Sequence, residues 1–300
     1  MKRTLAALAL TAIPTFAFAQ TVEVETATGP VEVATSPSTV VALDLAAVDT
    51  LSALGVDIAG LPSITPPAYM ADVFASTSTV GTLFEPDFEA LAVMGPDLII
   101  AGGRSQAQVE PLSKIAPTID MTLADEGLYD QAVSRVTSYG NIFGLEDKAE
   151  DLIAQLDTAI AEAKEAAKDQ GDVLILLTNG GKVSAYGDDS RFGWLHNTLE
   201  LEEAYPELSA QNHGEAISFE FIAEVNPDWI FVVDRGAAIG QDGEAAAVTL
   251  DNPLVAGTTA AKSDHIVYLD SAPLYLASGG VQSMLGTVNE VKSAMAPATN

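Results

Sequence analysis

The chain has 300 residues, 48 % of them hydrophobic, and no cysteine; this suits two domains of ordinary size and excludes a disordered chain or a disulfide-stapled one. Its 13 Lys and Arg against 42 Asp and Glu leave a formal charge of −29, which excludes nucleic acid and anionic lipid as natural partners because both need a basic face. Cations are scarce enough that each is informative: beyond Arg3 the arginines are Arg104, Arg135, Arg191 and Arg235.

Residues 1–19 carry Lys2 and Arg3, an apolar run from Leu5 to Ile13 and the small-residue site Ala17-Phe18-Ala19. These are the parts of a secretory signal peptide, too short to span a bilayer. The mature chain is expected to start near Gln20, with a charge of −31 once Lys2 and Arg3 are removed. With no lipobox cysteine available, the expectation is a soluble protein of the Gram-negative periplasm.

Residues 20–143 read as one α/β lobe. An alternation of Val and Thr with Glu over 21–36 predicts an edge strand or hairpin. Val40 to Pro62 reads strand, turn, helix, strand, with Asp44 as N-cap and Gly55 as helix stop. A loop rich in Pro, Ser and Thr, 63–79, holds Pro66-Pro67 and Tyr69 near a cleft mouth. Residues 88–104, FEALAVMGPDLIIAGGR, give helix, Pro-Asp break, buried strand and arginine. A short helix, a strand around Pro117 to Met121 and a helix from Tyr129 to Phe143 complete the lobe.

Residues 144–170 are rich in Ala, Glu, Lys and Leu, with an apolar stripe of Leu145, Ala149, Leu152, Ile153, Leu156, Ile160 and Ala163. That spacing predicts a single long helix joining two lobes and stopped by Gly171.

Residues 171–300 read as the second lobe. DVLILLT, Gly180-Gly181 and KVSAY form a hairpin, and GDDSRFG delivers Arg191 to the start of a helix over 192–201. A polar loop, 208–214, carries His213. Residues 219–235, FEFIAEVNPDWIFVVDR, repeat the earlier unit with Phe, Glu, Ala, Pro, Asp, Ile and Arg at a constant offset. A glycine-rich loop (236–243), a short helix, the strand HIVYLD, a loop over 271–280 carrying Tyr275, and a helix with Val281, Leu285, Val288, Val291 and Met295 on one face follow.

Ligands of open α/β sheets bind at the carboxyl ends of the strands, which is where the repeat puts Arg104 and Arg235. Arg191 adds a third cation beside a helix N-terminus. Three guanidiniums around one cleft imply a polyanionic ligand. Each arginine–oxyanion pair at about 4 Å contributes on the order of 4 kcal/mol at an effective dielectric near 20, whereas surface charge is screened beyond roughly 8 Å. The local triad therefore outweighs the global charge. Glu89 and Glu220 open the two units at the end opposite the arginine, as a symmetric docking pair would. His213 and Tyr275 supply donor types that ferric iron accepts. No G-x-S-x-G, H-E-x-x-H, P-loop or strand-linked G-x-G-x-x-G occurs, so no catalytic residue is assigned and no enzyme is expected.

The two lobes, the long helix and the twice-used FE…PD…R unit resemble the iron-chelate class of periplasmic substrate-binding proteins that feed ABC importers. Within it, EPDFEAL, DDSRFGWLHNTL, NPDWIFVVDRG and YLASGGVQSM resemble the branch that binds ferric catecholate siderophores of the enterobactin and petrobactin kind. The resemblance implies a class III fold, two Rossmann-like α/β lobes bridged by a single long helix, and a monomer with no intrinsic cofactor. It implies that Arg104, Arg191 and Arg235 face the anionic ferric chelate, and that His213 and Tyr275 complete the iron shell when the chelator supplies only four donors. It also implies that Glu89 and Glu220 contact arginines of the inner-membrane permease. Two alternatives stay open at this point. One is the same fold carrying haem, a corrinoid or a hydroxamate chelate; the other is a periplasmic enzyme acting on an anionic substrate.

Overall fold

The computed structural model describes residues 20–208 and 214–296; the signal-peptide reading of residues 1–19 and the position of His213 lie outside them. The first described elements, β1 (Thr21–Thr26) and β2 (Gly29–Ala34), pair as an antiparallel hairpin. Then β3 (Val40–Ala42) leads into α1 (Leu45–Leu54) and β4 (Gly60–Leu61). The segment expected to be a loop over 63–79 holds α2 (Ala71–Ser76) and β5 (Ser78–Thr79). Both are too short to show a hydrophobic period, so the Pro and Ser signals hid them. The first repeated unit is α3 (Phe88–Met94) followed by β6 (Leu98–Ala101), and α4 (Val109–Leu112), β7 (Thr118–Asp120) and α5 (Leu128–Phe143) finish the lobe. Its sheet runs β5-β4-β3-β6-β7, parallel throughout.

The long helix is α6 (Glu146–Ala167), about 33 Å of rod at 1.5 Å per residue. Ala149, Leu156, Ala159, Ile160 and Ala163 form its buried face. It stops earlier than expected, because Lys168 already has ψ 128°. Gly171 serves a different purpose. A Cβ there would lie 2.1 Å from Asp228 Oδ2, so glycine permits a close approach rather than a helix stop.

The second lobe has β8 (Val173–Asn179), β9 (Lys182–Tyr186), α7 (Trp194–Leu199), β10 (Glu215–Ile217), and then the repeat as α8 (Phe219–Val225) and β11 (Trp229–Asp234). Short turns of helix follow: α9 (Arg235–Ala238), α10 (Ala246–Thr249), α11 (Pro253–Ala256) and α12 (Thr259–Lys262). After β12 (Ile266–Tyr268) come α13 (Ser271–Leu276) and α14 (Val281–Met295). Sheet order is β10-β9-β8-β11-β12, with β8, β11 and β12 parallel and the β9 and β10 pairings antiparallel. Three expectations are corrected here. The helix over 192–201 starts at Trp194, the loop over 236–243 opens with α9, and Tyr275 stands on the helical turn α13 rather than in a loop.

Both lobes cover their sheets on two faces, which explains the unbroken apolar runs. In β6, Leu98 and Ile100 belong to the large central core while Ile99 and Ala101 join a separate outer cluster. In β11, Trp229, Phe231 and Val233 point to the central core, and Ile230 and Val232 to the outer cluster of the second lobe. The repeated Pro-Asp pair has a structural role in each lobe. Asp97 Oδ2 accepts from Ser38 N (3.0 Å), Ser38 Oγ (2.6 Å) and Thr39 N (2.9 Å), just before β3. Asp228 exchanges side-chain and amide bonds with Asp172, just before β8.

The chain ends by crossing back. Helix α14 packs on α6 and on α1, where the buried Asp49 accepts from the amides of Gln282 (2.8 Å) and Ser283 (2.9 Å) and from the Tyr69 hydroxyl. Gly280 makes room for this: a Cβ on it would lie 2.5 Å from Asp49 Cγ. Burial pushes the Asp49 carboxyl up to about 7 against these three donors.

Candidate functional site

The strand ends deliver the two repeat arginines to one place. Arg104 sits in the turn after β6, and its Nη2 and Nη1 donate to the main-chain carbonyls of Tyr275 (3.0 Å) and Leu276 (3.3 Å). Arg235 begins α9, and its Nε donates to the Tyr275 hydroxyl (3.2 Å) while Nη1 reaches Asn179 Oδ1 (3.4 Å). Arg191 lies in the turn three residues before α7 and donates through Nη2 to the Tyr275 carbonyl (2.8 Å). With a helix of six residues beginning beyond it, its charge matters more than any helix dipole. The carbon of the Arg191 guanidinium stands 4.4 Å from the centre of the Tyr275 ring, and that of Arg104 5.4 Å, within range of the ring's negative face.

Three guanidiniums thus converge on a single tyrosine. None of them is in an ion pair among the described residues, whose salt bridges all involve lysine, and Arg191 Nε is buried without a hydrogen-bond partner. The site therefore holds unneutralised cations with donors to spare. Burial pushes the Tyr275 phenol up, but the Arg235 hydrogen bond and the charges of Arg191, Arg235 and Arg104 outweigh it and bring the phenol below its ordinary value. Burial, followed by the neighbouring Arg191, lowers Arg104. The fourth arginine belongs elsewhere. Arg135 is buried and donates to the carbonyls of Glu25 (2.6 Å) and Thr122 (3.3 Å), fastening the hairpin to α5.

The cavity around Tyr275 has two chambers that share Arg191 and Tyr275 as their partition. On the second-lobe side a volume of about 530 Å³ is lined by Asn179, Lys182, Tyr186 and Arg235 as well. On the first-lobe side about 660 Å³ is lined by Asp44, Arg104, Thr122 and Asp125. Sequence reasoning missed Asn179, Lys182, Asp44 and Asp125. The signal was present for three of them, since Asp44 follows β3 and Asn179 and Lys182 flank the β8–β9 turn, at the strand ends where such ligands bind. Asp125 stands in a loop with no pattern to mark it.

Glu89 and Glu220 are exposed in the first turns of α3 and α8. Asp87 and Ser218 cap those helices by accepting from Ala90 N (2.9 Å) and Phe221 N (3.3 Å). The pair is less symmetric than the repeat suggests, because Glu220 also borders the second-lobe chamber. The other two histidines are structural: His196 is buried with Nδ1 on the Leu201 carbonyl, and His265 stacks on Trp229 at 3.7 Å.

Comparison with known proteins gives a consistent picture. Residues 40–273 match the family described as periplasmic binding protein. The petrobactin-binding protein YclQ of Bacillus subtilis is 39 % identical over 267 residues, covering 87 % of this chain and 83 % of its own. Its crystal structure superposes with a TM-score of 0.88 at 36 % identity, covering 92 % of this chain and 99 % of that one. The ferric-anguibactin-binding protein FatB of Vibrio anguillarum is 28 % identical over 271 residues, 88 % of this chain and 84 % of its own. The periplasmic catecholate-siderophore binding protein VctP of Vibrio cholerae has a TM-score of 0.86 at 30 % identity, covering 91 % and 100 %.

Proposed function

Because the chain belongs to the periplasmic binding protein family, and relatives along its length are named for petrobactin, ferric anguibactin and catecholate siderophores, we propose that it is the solute-binding component of an ABC importer, with a ferric catecholate-type siderophore as cargo. The observation that carries this is the convergence of Arg104, Arg191 and Arg235 on Tyr275 between two class III lobes. An anionic chelate entering there replaces weak carbonyl acceptors with charged oxygens, which form the stronger hydrogen bonds. No neutral cargo gains as much from the exchange.

Within this reading the iron arrives as cargo, held by the chelator. Tyr275, its phenol eased toward ionisation by the arginines, is the protein oxygen available to a ferric centre with an open position; His213 is the companion donor. Glu89 and Glu220 dock the loaded protein on the permease. The carrier is a soluble periplasmic monomer with no intrinsic cofactor, exported by residues 1–19, with lobes at 20–143 and 171–300 around the helix segment 144–170. No described helix is long and apolar enough to cross a membrane.

Trp194 lies three residues after Arg191, so titration of apo protein with ferric catecholate chelates is expected to quench tryptophan fluorescence. Failure of every anionic ferric chelate to bind overturns the proposal. Mass spectrometry of the chelate before and after incubation separates carriage from catalysis, with unchanged chelate expected.

A further inference from the structure

The tip of the β8–β9 hairpin brings a chemically labile side chain to the edge of the second-lobe chamber. Of the asparagines in the chain, Asn179 alone is followed by glycine. Asn226 and Asn252 precede proline, which has no amide N–H to react. Asn141, Asn197 and Asn289 stand within α5, α7 and α14, where helical hydrogen bonds hold the backbone. Nδ2 of Asn197 donates to the Asp188 carbonyl (2.8 Å) and that of Asn289 to the Leu285 carbonyl (2.9 Å). Asn179, by contrast, is exposed at the end of β8 and forms the last pair of the hairpin, opposite Lys182. Beyond it Gly180 and Gly181 have φ 56° and 78°, the left-handed region that glycine adopts freely. A Cβ on Gly180 would meet nothing within 4 Å, so the tip stands in open space.

Asn179 Oδ1 accepts from Arg235 Nη1 at 3.4 Å, so a cation faces the oxygen on which charge develops when Asn179 Cγ is attacked. The attack requires Asn179 to leave its extended backbone, which costs little where a single pair at a hairpin tip has to open. We propose that Asn179 is a site of self-modification, converted by the Gly180 amide to aspartate or isoaspartate, and that the product weakens the hold of the cleft on its cargo. The Gly180 nitrogen bonds to Asn179 Cγ, its proton passes through solvent to Nδ2, and the Cγ–Nδ2 bond breaks to release ammonia. The five-membered imide that results takes up one water at either carbonyl, and its ring C–N bond breaks to leave aspartate or isoaspartate. Nothing is oxidised or reduced. Either product sets a carboxylate against Arg235, in a chamber where Lys182, Arg191 and Arg235 face only Glu220. That carboxylate neutralises one cation and repels an anionic cargo, a consequence that rests on the ferric-catecholate reading. Isoaspartate also lengthens the main chain by one methylene and shifts Lys182 from its place across the turn.

The test ages purified protein in warm, mildly alkaline buffer and follows each asparagine by peptide mass mapping, with enzymatic carboxyl methylation to count isoaspartate. Conversion is expected at position 179 ahead of every other asparagine. In parallel, fluorescence titration with the ferric complex of dihydroxybenzoate is expected to show affinity falling as position 179 converts. Fresh Asn179→Asp is expected to bind about tenfold more weakly than fresh wild type. Asn179→Gln, whatever its starting affinity, is expected to keep it on ageing, because its longer side chain closes a six-membered ring far more slowly. Position 179 remaining intact while other asparagines convert overturns the inference. So does wild-type affinity in Asn179→Asp, or an equal loss on ageing in Asn179→Gln and wild type. If none of the proteins binds the ferric complex, the catecholate reading fails and the loss of affinity with it, while the peptide map still decides the chemistry at position 179.

Discussion

The two copies of the repeated unit share a frame and differ at their tips. Both Pro-Asp pairs clamp the chain that enters the lobe's leading strand, and both strands end in an arginine at the cleft. Arg104, however, directs its guanidinium across to the carbonyls of Tyr275 and Leu276 at the far end of the chain, whereas Arg235 stays within its own lobe, on the Tyr275 hydroxyl and Asn179. One unit thus yields a tie between lobes, and its copy yields a local anchor. The second lobe also supplies Arg191, Lys182 and Tyr275, while the first supplies acids. Symmetry of the scaffold does not extend to recognition.

The most severe challenge to this asymmetry is removal of the cation that belongs to both chambers. Arg191→Ala is expected to weaken ferric catecholate binding about 100-fold, or about 2.7 kcal/mol, measured by fluorescence titration. A smaller loss than that of Arg104→Ala would show that the second lobe does not dominate.

Next come the repeat arginines themselves. Arg235→Ala and Arg104→Ala are each expected to weaken binding at least tenfold, about 1.4 kcal/mol. Their unliganded forms should differ: loss of Arg104 frees the lobes, broadening the interlobe distance distribution between spin labels, and loss of Arg235 leaves it unchanged. Identical distributions would remove the distinction between tie and anchor.

A smaller effect is expected at the residue both arginines share. Tyr275→Phe removes the oxygen that accepts from Arg235 Nε and is expected to weaken binding by roughly the 1 kcal/mol typical of one hydrogen bond, several-fold in affinity. For a ferric chelate with only four donors the difference should depend on pH. The Tyr275 phenol lies below its ordinary value and must lose its proton to coordinate, so its advantage over Phe grows as pH rises toward that lowered value. A pH-independent ratio, with no phenolate-to-iron absorption band, would confine Tyr275 to hydrogen bonding.

Much of this was legible in the chain because it was encoded locally. The runs LIIA and WIFVV are apolar at every position since each strand is covered on both faces, and the stripe on α6 follows from helical spacing. Arginines at strand ends followed from the same reading. What escaped is short or distant. Elements such as α2, α9 and α13 span four to six residues, too few for periodicity to separate helix from loop. The role of Tyr275 as hub depends on partners 171, 84 and 40 residues away, a proximity that only tertiary folding creates. Asp44 was legible as the N-cap of α1, the position it occupies, but not as a residue of the cleft: burial raises its carboxyl against the Ala46 and Ala47 amides and the Arg104 charge, and only tertiary folding brings Arg104 near it.

The smallest expected effect probes the frame that the copies share. Asp228 is half-buried and holds Asp172 in a reciprocal pair, so Asp228→Ala should cost about 1 kcal/mol and lower Tm by a few degrees. Asp97 accepts three bonds but is exposed, and Asp97→Ala should lower Tm by less. The Ser38 hydroxyl, with the Thr39 and Ser38 amides, holds the Asp97 carboxyl below its ordinary value. Its contribution is therefore present above the unfolded value of about 3.9 and is lost as pH falls through the lower folded value. The Tm difference between wild type and Asp97→Ala should be constant near neutral pH and shrink below about pH 4. A difference that persists unchanged into acid would mean that the aspartate acts through chain geometry rather than through its charge, and that the two clamps are less alike than their sequences.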